Sequence, residues 1–222
     1  MLAVQNFYNR INFPGQYQID QLKDISNRYL LCIDQALHNG QTVLDVGCGT
    51  GLVSNLFGIR YPNSTFTAID FADGVKFGQQ FATVHGVTNV QFYQKNFLEY
   101  NIDTKYDVVI CQGVLHHMPD SIAALDKLKQ ASKNILILGL YHPWGKKLKQ
   151  WANIDYGNET LKLDQEEHPF ETAYTCDQVK TMLPEFNLIS SYPSSINIMS
   201  HIEAFFNYRN GGLITYIFER KS

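Results

Sequence analysis

Cysteine is sparse in this chain and scattered. Cys32, Cys48, Cys111 and Cys176 form no C-x-x-C pair. That excludes a zinc ribbon and gives no disulfide framework, so reduced cytosol is the expected setting. Long apolar runs are also missing. The longest aliphatic stretch, Ile135 to Leu140, is far short of the ~20 residues that cross a bilayer, and the first residues lack the apolar core of a signal peptide. Neither sign of charge dominates. The net charge is −3 and the pI is near 6.1, which leaves no electrostatic footprint for nucleic acid. Repeats and low-complexity tracts are absent. What remains is a cytoplasmic protein without a membrane span. Its 45% apolar content supplies a core, and 222 residues suit one α/β domain.

The chain is organised around Thr42 to Gly51. Val43, Leu44 and Val46 read as a short buried strand. Gly47, Gly49 and Gly51 follow as a turn that can take φ > 0 and let a ligand approach the backbone. Leu52 to Arg60 then continues as a helix whose first N–H groups face the same spot. Strand, glycine turn and helix start form a nucleotide-ligand cradle, although a tight turn with no ligand has the same local pattern. A dinucleotide fingerprint would need its third glycine at position 52, which is Leu52. Asp45, inside the strand, would be unfavourable beside a pyrophosphate and useful beside an ammonium group.

Residues 1 to 19 show little periodicity and read as an arm or flap. Leu22, Ile25, Tyr29, Ile33 and Leu37 recur at helical spacing over Asp20 to Leu37. Thr65 to Ile69 is a second strand ending in Asp70. That acid lies about 20 residues past the turn, where dinucleotide folds place a carboxylate on the ribose hydroxyls. Asp70 or Asp73 could instead cap the helix running toward His85. Val90 to Gln94 alternates like a strand and leads to Asn96-Phe97. Tyr106 to Gln112 is a fourth strand, and Asn134 to Leu140 a fifth, apolar as a strand buried on both faces should be. Residues 142 to 170 are too long for a routine connection and read as a lid-like insert. Thr175 to Leu183 is a helix, Phe186 to Ser190 a sixth strand, and Leu213 to Phe218 a last strand after Gly211-Gly212. His116 and His117 are adjacent rather than at the i, i+4 spacing of helical metal pairs, so no metal is expected.

Val43-Leu44-Asp45-Val46-Gly47-Cys48-Gly49-Thr50-Gly51 resembles the first motif of the class I S-adenosylmethionine (SAM) dependent methyltransferases. Leu115-His116-His117-Met118-Pro119-Asp120 is similar to a second run of that family. The resemblance covers about residues 40 to 140. It implies an α/β, doubly wound, mostly parallel seven-stranded sheet with an antiparallel last strand, in a single domain over 1–222. It implies SAM as cofactor and S-adenosylhomocysteine (SAH) as product. Asp45, Gly47, Cys48, Gly49 and Gly51 would form the cradle, with Asp70 on the ribose and Phe71 against the adenine face. Asn96 and the Phe97 N–H would meet the adenine edge, and the backbone near Gln112 would accept from the methionyl ammonium.

His117 is the candidate base, and His116 the better candidate for a packed ring. The acceptor would be a small molecule methylated on oxygen, nitrogen or carbon, since the place after the fourth strand holds Cys111-Gln112-Gly113-Val114 and no Asn/Asp-Pro-Pro motif. Aromatic residues of the arm and the late segments could line its pocket. Three other readings stay open: a SAM-binding protein without transfer, an RNA-modifying enzyme using Lys146, Lys147 and Lys149, and a less favoured NAD-dependent dehydrogenase. The oligomeric state is not legible.

Overall fold

Strands and helices alternate along the chain and close on one seven-stranded sheet. The structure, a computed structural model, describes residues 2–10, 13–22, 28–144, 172–194, 197–200, 202 and 212–222. The strands are β1 (Thr42–Val46), β2 (Thr65–Asp70), β3 (Val90–Gln94), β4 (Tyr106–Gln112), β5 (Ser132–Tyr141), β6 (Phe186–Tyr192) and β7 (Leu213–Arg220). Their order is β3-β2-β1-β4-β5-β7-β6. The first five are parallel, and β7 runs antiparallel to both β5 and β6. The expected sheet is therefore present, antiparallel last strand included. The order reverses between β1 and β4, so a crevice opens at their carboxyl ends, where such sheets bind ligands.

Side-chain alternation divides the core between the two faces. Leu44, Val46, Val109, Cys111, Leu136 and Leu138 pack on one face with Leu125 and Leu128 of α5 (Ser121–Ala131) and Val179 of α6 (Cys176–Met182). Val43, Val108, Ile110, Ile137 and Ile217 pack on the other. Their partners are Ile33 of α2 (Arg28–Asp34), Leu56 and Phe57 of α3 (Leu52–Arg60), and Phe81 of α4 (Gly74–His85). Thr175 closes a capping box at the start of α6. No helix among the described residues is long and apolar enough to cross a membrane.

Three local expectations change. The arm is not irregular, because Leu2–Arg10 forms helix α1. Its Phe7 is buried. Tertiary bonds dock the helix: Gln5 Nε2 donates to the Phe71 carbonyl at 2.7 Å, and Asn9 Oδ1 accepts from the Asp73 N–H at 2.8 Å. The helix expected over Asp20 to Leu37 is instead a 3₁₀ turn (Ile19–Leu22) and the short α2, with residues 23–27 outside the described ones. Its end tightens into i→i+3 bonds at Ala36 and Leu37, where Arg60 and Tyr61 bind the Asp34 carboxylate. Strand β5 runs two residues earlier than expected and one further, to Tyr141. Most of the insert at 142–170, including Lys146, Lys147 and Lys149, lies outside the described residues.

Helix α4 presses on the glycine turn through Gly78. A Cβ there would lie 2.8 Å from the Thr50 carbonyl oxygen and 2.8 Å from the Phe92 ring. Alanine would recover about 1 kcal/mol of helix propensity. The clash is with backbone, which cannot swing aside, so the overpacking cost should reach about 3 kcal/mol. Gly78→Ala should therefore lose ~2 kcal/mol in urea unfolding. An unchanged or raised midpoint would mean that the turn yields.

Candidate active site

The glycine turn joins β1 to α3 at the crevice. Gly47, Gly49 and Gly51 all have positive φ, at 72°, 55° and 77°. The packing around them also leaves no room for a side chain. A Cβ on Gly47 would lie 2.3 Å from Val114, and one on Gly49 would lie 2.1 Å from the Phe13 carbonyl oxygen. The backbone donors of the turn are already bonded. Gly47 and Cys48 donate to the Ile69 carbonyl, Thr50 to the Phe13 carbonyl and Gly51 to the Cys48 carbonyl. Gly49 donates to Asp70 Oδ2 at 2.8 Å. The turn thus offers a ligand close approach rather than N–H donors.

The arm is fastened to the same turn. Thr50 Oγ1 donates to the Gly15 carbonyl at 2.8 Å, and the buried Tyr17 hydroxyl donates to the Thr50 carbonyl at 3.0 Å. Asn55 Nδ2 donates in turn to the Tyr17 hydroxyl. Desolvation pushes the Tyr17 phenol far up, so it stays a neutral donor. No sequence signal marked Tyr17 or Thr50 for this task, because the partners are backbone carbonyls.

Two carboxyls lie beneath and beside the turn. Asp70 ends β2, is 7% exposed, and accepts the Gly49 and Ala72 N–H groups, one on each oxygen. Burial raises its pKa, and those N–H bonds oppose the rise. Asp45 is 2% exposed and accepts the Ser54 hydroxyl at 2.6 Å, tying β1 to the first turn of α3. Burial pushes it up to about 7; the Ser54 bond lowers it and the Asp70 charge raises it. Cys48 is buried and its thiol is held well above the usual range, mainly by desolvation, so it is no nucleophile. Asp73 occupies the N-cap position of α4 without a side-chain cap bond. Its carboxylate instead pairs with Lys76 and accepts from Gln94.

Aromatic rings and histidines collect above the strand ends. The 3₁₀ turn Leu115–His117 follows β4, and both histidines are buried. His116 packs against Tyr141, ring centroids 4.3 Å apart. His117 meets Tyr141 at 5.8 Å and Tyr8 of α1 at 6.4 Å, and Tyr8 also meets Phe71 at 6.4 Å. Tyr8 thus links the end of β2 to the end of β4. His142 is buried nearby, and its Nδ1 accepts the Trp144 N–H at 3.2 Å. Pro119 precedes the cap of α5, Asp120, which accepts the Ala123 N–H at 2.9 Å. Among the described residues no cluster could hold a metal ion.

The remaining expected residues divide. The Asn96 side chain turns into its own loop, donating to Glu99 and accepting from the Leu98 N–H. The Phe97 ring is core, with the Lys127 ammonium 5.2 Å from its centroid; only main-chain groups of this pair are left to face a ligand. Gln112 ends β4, and its side chain extends away from the turn to Thr215.

With this geometry, comparison with known proteins is specific. A family model described as a methyltransferase domain matches residues 37–189, so the chain belongs to that family. Among curated proteins it is 29% identical to the malonyl-[acyl-carrier protein] O-methyltransferase of Acetivibrio thermocellus, over 66% of this chain and 52% of that one. It is 28% identical to the ubiquinone biosynthesis O-methyltransferase of Pasteurella multocida, over 64% and 65%. The chain thus spans between half and two thirds of the length of these relatives. Among solved structures, magnesium protoporphyrin IX methyltransferase from Synechocystis with bound SAH shares the fold, with a TM-score of 0.66 and 17% identity over 99% of both chains. The N-methyltransferase NodS of Bradyrhizobium japonicum, also with SAH, has a TM-score of 0.63 at 12% identity, over 99% of this chain and all of that one. The fold is that of the class I methyltransferases.

The buried Asp45 gives a pH signature. Its folded pKa is raised from 3.8 to about 7. Below the lower value both folded and unfolded chains hold the proton, and the stability is fully present. As pH rises through this window the unfolded chain ionises first, so stability falls, and the loss is complete above about 7. Asp45→Asn keeps an acceptor for Ser54 and removes the titration. Its melting temperature should therefore be flatter than wild type between those pH values. Parallel profiles would mean that Asp45 ionises normally.

Proposed function

We propose that this chain is a SAM-dependent methyltransferase acting on a small-molecule acceptor. We propose further that it is one cytoplasmic domain over residues 1–222, with the arm 1–19 and the insert 142–170 covering the acceptor. The observation that carries the cofactor reading is the electrostatics of the turn. Its five N–H groups are bonded within the protein, and its neighbours are carbonyls and two carboxyls. A pyrophosphate would find no donors in the turn and two acids beside it. A cationic ligand suits such a place. Asp70, fixed by two N–H bonds, keeps lone pairs for ribose hydroxyls.

The residues present therefore fit SAM, which when bound supplies a methyl group already attached to a good leaving group. Asp70 would bind the ribose, Phe71 would lie against the adenine, and the Phe97 N–H would meet the adenine edge. The main-chain carbonyl of Gln112 would accept from the ammonium. Tyr8, docked by α1, would exclude water above the strand ends. A ring nitrogen of His117 would take the proton of an acceptor hydroxyl or amine. The names of the relatives support a small acceptor. Two are O-methyltransferases of acyl-carrier and quinone chemistry, and an N-methyltransferase stands among the structural neighbours.

Calorimetry tests the cofactor. SAM and SAH should bind and NAD should not; saturable NAD binding without a SAH signal would overturn the reading. Asp70→Ala should weaken SAH by about 1.5–3 kcal/mol, roughly 10- to 100-fold. A second test concerns the proton. With a hydroxylated aromatic test acceptor, His117→Ala should retain SAH affinity and lower turnover by about 10²–10⁴-fold. Wild-type turnover in that variant would remove His117 from the mechanism, and equal loss of SAH affinity would make it a structural ring.

A further inference from the structure

Three residues from neighbouring strands line up at one level of the sheet. Gln112 of β4 is in register with Gly139 of β5, and Gly139 with Thr215 of β7. The missing side chain at Gly139 opens a path across β5. Gln112 uses it: its Nε2 donates to Thr215 Oγ1 at 2.9 Å, directly over Gly139. A Cβ on Gly139 would lie 2.5 Å from both the amide carbon and Oε1 of Gln112. The other end of the amide, Oε1, is buried and has no hydrogen-bond partner. An orphaned buried acceptor is costly, and the positions before Gln112 on the same face, Val108 and Ile110, are wholly buried and apolar. An aliphatic residue would serve packing better, so the amide calls for a partner.

The surroundings say what kind. Beyond Gln112 the chain turns at Gly113, whose N–H donates to the Gly139 carbonyl, and Val114 then packs against Gly47. The amide therefore lies on the β5 and β7 side of the glycine turn, away from Asp70. Tyr141 follows Gly139 by two residues and shares its face of β5, and its ring meets both histidines.

We propose that the Gln112 side chain is the acceptor-recognition group, its Oε1 accepting a hydrogen bond from a hydroxyl on a planar, largely apolar acceptor. Gly139 and Thr215 hold the amide in place for it. The inference rests on the cofactor reading above, and goes past it in naming the group that reads the acceptor and the chemistry it reads.

The test uses the full chain, ¹⁵N-labelled and saturated with SAH, titrated with phenol, anisole and toluene. The Gln112 side-chain amide signal is assigned by its loss in Gln112→Leu. Phenol should shift that signal and bind about 2- to 12-fold tighter than anisole or toluene, the worth of one hydrogen bond. Gly139→Ala, which displaces the amide, and Thr215→Val, which removes its anchor, should each erase the preference. SAH binding with no phenol preference overturns the inference alone, as does a preference that survives both variants. A buried water on Oε1 that phenol leaves in place does the same. Failure of the wild-type chain to bind SAH overturns the cofactor reading and this inference with it.

Discussion

The hydrogen bond from the Gly49 N–H to the Asp70 carboxylate holds the site together. It joins the turn after β1, where Gly49 has a positive φ, to the end of β2. The same residue leaves room for the Phe13 carbonyl, which takes the next N–H of the turn, that of Thr50. Asp70 in turn holds the Ala72 N–H, setting the backbone just before α4. One buried carboxylate thus fixes a turn, a strand end, a helix approach and, through Thr50, the arm. Charge-assisted bonds of this type are worth about 1.5–3 kcal/mol each, enough to offset much of the cost of burying the acid.

What the sequence made legible was what side-chain pattern controls. The turn showed in its glycines, and Asp70 in its distance from them. The sheet showed in runs such as Ile135 to Leu140, where every residue is apolar because both faces are covered. What stayed hidden depends on backbone partners far away in the chain. Helix α1 is only nine residues long, and its docking uses Gln5 and Asn9 bonds to main-chain groups of residues 71 and 73 that its own sequence does not announce. The bonded N–H groups of the turn were invisible for the same reason, since the Phe13 and Ile69 carbonyls leave no trace in composition. Asn96 looked like a ligand-facing amide, yet an asparagine beside a loop N–H satisfies itself locally. Gly139 read as one more residue of an apolar strand, and its meaning emerged only when the register placed Gln112 and Thr215 on either side of it.

The electrostatic pattern explains why an acid belongs inside a strand at all. Desolvation raises the pKa of Cys48, Cys111 and Tyr29, and the Asp45 charge adds to the rise in each, so that charge is felt across the core. Burial makes that charge costly, which is visible as the rise of the Asp45 pKa itself toward neutrality. A bound cation reverses the sign: it favours the ionised form of Asp45 and draws its pKa back down. Ligand and proton therefore compete for the same carboxyls. An anion would raise the Asp45 pKa further and add its own desolvation. The sequence position of one aspartate, Ser54 beneath it and a turn with its donors already bonded together select the charge of the ligand before any shape is considered.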